Sequence, residues 1–388
     1  MFRFGTVSYN IYGNFTNYGS ALQTWALHQA INIIGKDKWQ AVLVDYCPAI
    51  LKDKDPLNPF GNLWDKDEES RQMCELSLPA IRTNYQKFQE FYKKKFNRTK
   101  EKYTASNFNK IIENEQINGF VCGSDTIFCI DEFGFDDGYY ANYPCMKQGY
   151  SVAYAASFGD PHFQETDYPI LDQRILNFKA IGLREKNMLP YVKQHTDIAV
   201  ERVIDPTLLL TSKSYDEKLT MPRLIKEKYL LYYSRRYNPA MEEYVEKIAE
   251  KHHLKIVEIS LRAVNAKKHQ MFYEAGVEEF LSLVKYAEFI VTNSYHGMIF
   301  SVQYRRPFAI FSREQCDTKN KELLQLLHLT ERLNSYDKDL LEVPVEYDQV
   351  HSIIEAERVK SLEFLKNELE GYSQYFKEKN DGLSSKWD

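Results

Sequence analysis

Short apolar runs alternate along the chain with longer stretches whose apolar positions recur every three to four residues. FRFGTVSY at 2–9 reads as a strand, and GSALQTWALHQAINII at 19–34 has the spacing of a helix buried along one face. WQAVLVDY at 39–46 is again strand-like, and residues 66–96 form a long, polar helical stretch. INGFVCGSD, SVAYAAS and AIGLRE follow as short apolar runs that end in turn or charged residues, with a helical pattern over 169–180. The order then restarts. KYLLYYS, KIVEIS, EFIVTNS and PFAIF read as strands. They alternate with the helical patterns MEEYVEKIAEKHH, VEEFLSLVKYA, GMIFSVQ and NKELLQLLHL. A last helix is expected over about 346–378. Alternation of this kind predicts parallel sheets covered by helices, an α/β fold. The two runs separate near 185–225. The chain therefore divides into two Rossmann-like domains, 1–190 and 191–345, with 346–388 as a terminal helix packing back on the first domain. No internal repeat or low-complexity segment interrupts this reading.

Composition narrows the function classes. Of 388 residues, 44% are hydrophobic and 27% charged, as in a globular protein, and the formal net charge is −5. No global basic field recruits nucleic acid or an anionic membrane. No apolar run is long enough to span a bilayer, and MFRFGTVSY lacks a secretory h-region, so a cytoplasmic protein is expected. The six cysteines form no CxxC pair, which favours reduced thiols over disulfides or zinc. NFT at 14–16 and NRT at 97–99 match the glycosylation sequon and carry no functional expectation without secretion. Twenty-eight tyrosines raise the aromatic content to 14%. Such rings stack on sugars and cations, although core packing accounts for most of them.

In open parallel sheets, ligands bind beyond the carboxyl ends of the strands, so the polar clusters there are the candidate chemistry. After the first strand, Asn17, Gly19 and Ser20 open a helix whose free N–H groups can face a ligand, with Gln23 one turn in. A plain helix cap explains the same residues. In GSD at 123–125, Asp125 is either a base for a sugar hydroxyl or an N-cap. In AASFG, Ser157 and Gly159 fit a tight turn better than a site. Arg184 in GLRE ends an apolar strand, and a buried guanidinium needs an anion, either a substrate group or, more commonly, a neighbouring carboxylate. Asp205-Pro206 in IDPTLLL reads as a rigid hinge turn, structural rather than catalytic. In TNSYHG, His296 falls in the first turn of a helix, where unpaired N–H donors and the positive dipole end suit a phosphate. A histidine there can bind that phosphate or move a proton, and Gly297 would let a ligand approach the backbone. P-loop, HExxH, GxGxxG and GxSxG patterns are missing from the sequence.

In order, NYGSALQ, GSDTIF, AYAASFG, GLRE, IDPTLLL, EAGVEEFLSLVKYAEFIVTNSYHG and DTKNKELLQLL resemble the polysaccharide pyruvyl transferase family, from near residue 5 to about 335. The resemblance implies a GT-B-like pair of Rossmann-like domains with a cleft between them. It implies transfer of the enolpyruvyl carbons of phosphoenolpyruvate to two hydroxyls of a sugar, giving a cyclic ketal and phosphate. It implies no metal or redox cofactor, with phosphoenolpyruvate as co-substrate. On that reading His296 binds the donor phosphate and transfers a proton, and Asp125 orients or deprotonates the acceptor. Arg184, Asn293, Ser294, Gly297, Arg235 and Lys319 serve the donor, while Asn17, Gly19, Gln23 and Ser124 line the acceptor side. Family members often carry an S-R-x-H-G motif, whereas Ser294 and Tyr295 precede His296 here. One expected cation is thus missing, with Arg235, Arg236, Arg313 and Lys319 as replacements. The implied acceptor is a surface glycan or its lipid-linked precursor. The basic-aromatic stretch YQKFQEFYKKKFNRTKEKY at 85–103 is either a membrane contact or, more commonly, a solvated helix. A nucleotide-sugar glycosyltransferase and a non-catalytic saccharide-binding protein are the competing readings. The oligomeric state is not readable.

Overall fold

The computed structural model describes residues 1–8, 12, 17–55, 57, 68–260, 263–313 and 317–384. The sequon at 14–16 and Cys316 lie outside them. Seven strands build the first sheet: β1 (Phe2–Val7), β2 (Trp39–Tyr46), β3 (Arg98–Tyr103), β4 (Gly119–Cys122), β5 (Tyr150–Ala156), β6 (Ala180–Leu183) and β7 (Ala199–Arg202). Five build the second: β8 (Tyr229–Tyr233), β9 (Lys255–Ile259), β10 (Gln270–Met271), β11 (Phe289–Thr292) and β12 (Phe308–Ile310). The orders are β3-β2-β1-β4-β5-β6-β7 and β10-β9-β8-β11-β12, and every pairing is parallel. This is the α/β, GT-B-like architecture of two Rossmann-like sheets. Each sheet reverses direction beside its first strand, between β1 and β4 and between β8 and β11, which is where such sheets leave a crevice for ligands.

The apolar runs reflect burial on both faces of the sheet. Along β2, Leu43 packs into one core cluster while Val42 and Val44 pack into the other. A strand covered by helices on both sides has no polar face to alternate with, so it reads as continuous Val, Leu and Ala. The edge strands break that rule. In β3, RTKEKY buries only Thr99 and Tyr103, and in β7, AVER buries only Val200. Neither carries an apolar run, so the first sheet extends to Arg202, past the boundary expected at residue 190. The crossing into the second domain starts at the 3₁₀ turn Pro206–Leu208.

Helices join the domains. The helix Glu68–Lys95 turns Phe88, Phe91 and Tyr92 into the core, with Phe96 just beyond its end. On the same helix, Lys87 pairs with Glu279 and Lys95 with Glu278, each at 2.8 Å. Most of the aromatic residues of 85–103 are therefore buried, and two of its lysines face the second domain. Above this contact, Tyr18 stacks on Phe280 with centroids 4.5 Å apart and donates its hydroxyl to the Ala275 carbonyl at 2.8 Å. Such a stack adds about 1 kcal/mol beyond its burial. The helix Tyr347–Ser384 spans both halves. Its His351 ring meets the Val302 carbonyl at 2.9 Å, Arg358 donates to the Leu208 carbonyl at 2.7 Å, and Tyr372 packs edge-on against Phe2 and Phe4. Cys47, Cys122, Cys129 and Cys145 are free thiols. Among the described residues no helix is long and apolar enough to cross a membrane.

Candidate active site

The second domain delivers a histidine. After β11, Asn293 ties down the loop that follows β8, accepting from the Arg235 N–H at 2.8 Å and donating to the Arg236 carbonyl at 2.8 Å. Ser294 then caps the helix Tyr295–Gln303, accepting the Gly297 N–H at 3.2 Å. These bonds occupy both residues locally, leaving His296 to reach across to the first domain. Gly297 packs tightly against the strand before it. A Cβ there would stand 2.6 Å from Thr292 Oγ1 and 3.0 Å from the Tyr233 ring, so the strand itself uses that space.

The first domain meets it with the start of the helix Tyr18–Gly35. Asn17 caps that helix, accepting the Ser20 N–H at 3.2 Å. Gly19 lies against the imidazole: a Cβ on it would come within 2.0 Å of His296 Nδ1. Ser20 Oγ donates to Asp125 Oδ2 at 2.6 Å. Gln23 and Ser124 bond one another instead of facing the cleft. Gln23 Oε1 accepts the Ser124 N–H at 3.1 Å, and Ser124 Oγ donates to the Ala155 carbonyl at 2.8 Å. Their role is to hold the turn that presents Asp125. Asp125 itself adopts a left-handed φ of 70°, and its carbonyl accepts from Ser157 and Ile127. Ser157 and Gly159 close a tight turn on each other at 3.1 Å.

At the centre, Arg184 is 94% buried among three carboxylates (6% exposed). Its Nε donates to Glu185 at 2.7 Å, Nη1 donates to Asp205 Oδ2 at 2.9 Å, and Nη2 stands 4.0 Å from Asp125. Burial opposes its charge, but Glu185, Tyr295, Asp205 and Asp125 more than offset that and keep it cationic. Of the two partners weighed for Arg184, the neighbouring carboxylates are the ones present. Asp205 Oδ1 accepts from the Thr207 N–H at 2.9 Å and from its hydroxyl at 2.6 Å, and Oδ2 lies 3.3 Å from His296 Nε2. Burial pushes Asp205 up, yet His296, Arg184 and Thr207 hold its carboxyl well below the usual range. Burial likewise raises Asp125, and Arg184, His296, Lys319 and the Ser20 hydroxyl together lower it below its ordinary value.

Tyr295 stands where a cation was expected. Its buried ring carries the Arg184 guanidinium at 4.9 Å and the Lys319 ammonium at 5.7 Å, so the cations are recruited to its faces. Beyond them, Thr126 donates to Glu132 at 2.8 Å. Desolvation raises the Glu132 carboxyl against the pull of Thr126, Lys319 and Arg313. Arg235 follows β8, and its charge acts on Tyr18. Arg184, Asp205, Tyr295, Lys319 and Glu322 line a small opening between the domains. The arrangement can do proton chemistry, with a carboxylate and an imidazole from opposite domains beside a buried cation pair.

The geometry joins His296, Asp125, Arg184, Gly19 and Lys319. It uses Asn17, Gln23, Ser124, Asn293, Ser294 and Gly297 to build the walls. Four contributors escaped the motif reading. Asp205 has a full local explanation as a turn, Ser20 passes for a cap, Tyr295 reads as a lost arginine, and Glu132 belongs to no motif. Among the described residues, His252, Asp339 and Glu342 are the one grouping of His and carboxylates close enough to share a metal ion, and Lys251 already bridges its two carboxylates.

No curated protein matches the chain. Solved structures with a similar course include a putative UDP-N-acetylglucosamine 2-epimerase from Listeria monocytogenes, 10% identical, with 94% of this chain and 90% of that one covered and a TM-score of 0.49. The UDP-GlcNAc 2-epimerase of Neisseria meningitidis is 10% identical, with 94% and 100% covered and a TM-score of 0.46. The ADP-heptose heptosyltransferase II of Escherichia coli is 8% identical, with 93% and 99% covered and a TM-score of 0.36. Likenesses this distant bear on neither substrate nor reaction. The model of the family described as polysaccharide pyruvyl transferase is different in kind, for it matches residues 17–315, from the cap of the Gly19 helix past His296. By that match across most of its length, the chain belongs to the polysaccharide pyruvyl transferase family.

Proposed function

We propose that the protein transfers the pyruvyl unit of phosphoenolpyruvate to two hydroxyls of a saccharide, forming a cyclic ketal and releasing phosphate. The observation that carries this is the meeting of Asp125 and His296 from opposite domains beside Arg184 and Lys319. The chemistry asks for a proton at the methylene carbon of the donor, a base for the attacking hydroxyl, and fixed positive charge for the departing phosphate. His296 supplies the proton. The bond from the first sugar oxygen to C2 of the donor then forms as Asp125 takes that hydroxyl proton. The C2–O bond to phosphate breaks, phosphate taking the proton held by Asp125, and the second hydroxyl bonds to C2 to close the ketal as its proton returns to His296. Lys319 neutralises the donor's charge, and the free Nη2 edge of Arg184 adds to it. The remaining Arg184 donors hold Glu185 and Asp205 in place. A lipid-linked acceptor suits this chemistry as well as a free glycan.

Mass spectrometry of a glycan mixture incubated with the protein and phosphoenolpyruvate tests the reading. A product heavier by one pyruvate ketal, with matching phosphate release, is the expected result. Thermal stabilisation by a nucleotide sugar and not by phosphoenolpyruvate, with no ketal product, would replace it with glycosyl transfer.

A further inference from the structure

His296 reaches the site from the second domain, and its two ring nitrogens are in unlike places. Nε2 is enclosed and stands 3.3 Å from Asp205 Oδ2, short of the alignment of a full hydrogen bond, with no other partner. Nδ1 lies on the opposite side, over Gly19, at the seam between the domains. Asp205 is itself immobilised. Thr207 holds one of its oxygens through two hydrogen bonds, Arg184 holds the other, and Pro206 follows it in a rigid turn. A carboxylate fixed on both oxygens can orient an imidazole without swinging away from it. Among the described residues, the charged or titratable groups of the site beside the ring include Asp125, Arg184, Lys319 and the phenol of Tyr295, whose ring centroid lies 5.3 Å from that of His296.

We infer that Asp205 is a positioning residue for His296: it accepts the Nε2 proton, fixes the tautomer, and leaves Nδ1 as the nitrogen that exchanges protons with the substrate. Two parts of the chain make this assembly. Asp205 lies between the two sheets, and the histidine starts the helix after β11. Bringing the domains together therefore aligns the pair, and the present 3.3 Å approach tightens as the cleft fills. Gly19 completes the arrangement by leaving room for the ring edge that carries Nδ1. The identity of the proton acceptor rests on pyruvyl transfer, but the tautomer does not.

That separation gives the test. Nitrogen-15 NMR on protein labelled at its nine histidines reads the tautomer with no substrate present, and His296→Gln identifies the signal. In the neutral ring of the wild type, the proton is expected on Nε2 with Nδ1 bare. Asp205→Asn should redistribute the proton between the nitrogens. It should also lower kcat at least tenfold, with KM for phosphoenolpyruvate changed less than threefold. A wild-type proton on Nδ1 overturns the inference, even where Asp205→Asn fails to fold. So does a folded Asp205→Asn protein whose tautomer and kcat match the wild type. If the tautomer behaves as expected and no ketal forms with any glycan, the positioning role stands and the pyruvyl-transfer reading fails.

Discussion

Among the described residues there are two buried histidine–carboxylate pairs, and they are built differently. In the second domain, His269 Nδ1 meets Glu258 Oε2 at 2.6 Å, and Asn265 donates to the same oxygen at 3.1 Å. Both partners come from one domain, near the ends of neighbouring strands β9 and β10. At the cleft, His296 approaches Asp205 at 3.3 Å from another domain, and a buried arginine and two further carboxylates surround the carboxylate. The first pair is closed at rest, as a pair that serves the core should be. The second is longer, at 3.3 Å, and its carboxylate also pairs with Arg184, which contacts Glu185 and Asp125 as well. Burial alone does not tell the two pairs apart; the reach between domains does.

The sharpest way to break the comparison is to remove each histidine in turn. His296→Ala should lower pyruvyl transfer by about 1,000-fold or more, since a positioned proton donor contributes up to about four orders of magnitude, while the melting temperature stays within about 2 °C. His269→Ala should do the reverse. It leaves Glu258 buried without its partner and should cost about 3 kcal/mol of stability in urea unfolding, with activity per folded molecule retained. Equal losses of activity in the two variants would end the distinction.

Gly19 offers a finer cut. Gly19→Ala places a methyl group 2.0 Å from His296 Nδ1, inside any real contact distance. The imidazole must move, and kcat should fall on the order of 100-fold, because displacing a reacting group by about 1 Å costs that much. A Gly19→Ala protein with wild-type kcat would show that the ring's place is not fixed from this side.

The acid limb of stability probes the carboxylates of the cleft. Asp205 and Asp125 both have carboxyls below their ordinary value, so their native contacts stabilise the fold above the unfolded carboxylate value of about 3.9 and lose that contribution as pH falls through the folded values. Unfolding free energy should therefore decline as pH drops from 5 toward 3. Asp205→Asn should flatten that decline, and an unchanged slope would remove Asp205 from the account. The smallest expected effect is at the domain contact. Lys87 and Glu279 are each about one-third exposed, so Lys87→Ala should cost less than about 1 kcal/mol and less still at high salt.

The core strands were legible because burial on both faces leaves them continuously apolar, as in YSVAYAA of β5. The edge strands β3 and β7 were not, since one side of each faces water. Strand-end placement made Asp125, Arg184 and His296 stand out as polar residues closing apolar runs. What composition and spacing could not show is which bonds each residue had already made. Asn17, Gln23, Ser124, Asn293 and Ser294 carry the right groups, but caps and turn ties engage them. Asp205 carries the opposite lesson: a dipeptide with an adequate local role also faces the histidine of another domain. Only the three-dimensional meeting of distant segments separates these cases. That is also why Tyr295 read as a deficit, although its ring gathers two cations.

The helix Tyr347–Ser384 has a consequence for the order of folding. Its Tyr372 covers Phe2 and Phe4 of β1 from about 370 residues further along the sequence. A contact of that separation closes a very long loop, and its entropy must be met before the contact returns anything. The aromatic face of β1 is therefore expected to be covered late in folding, after the local elements between have formed.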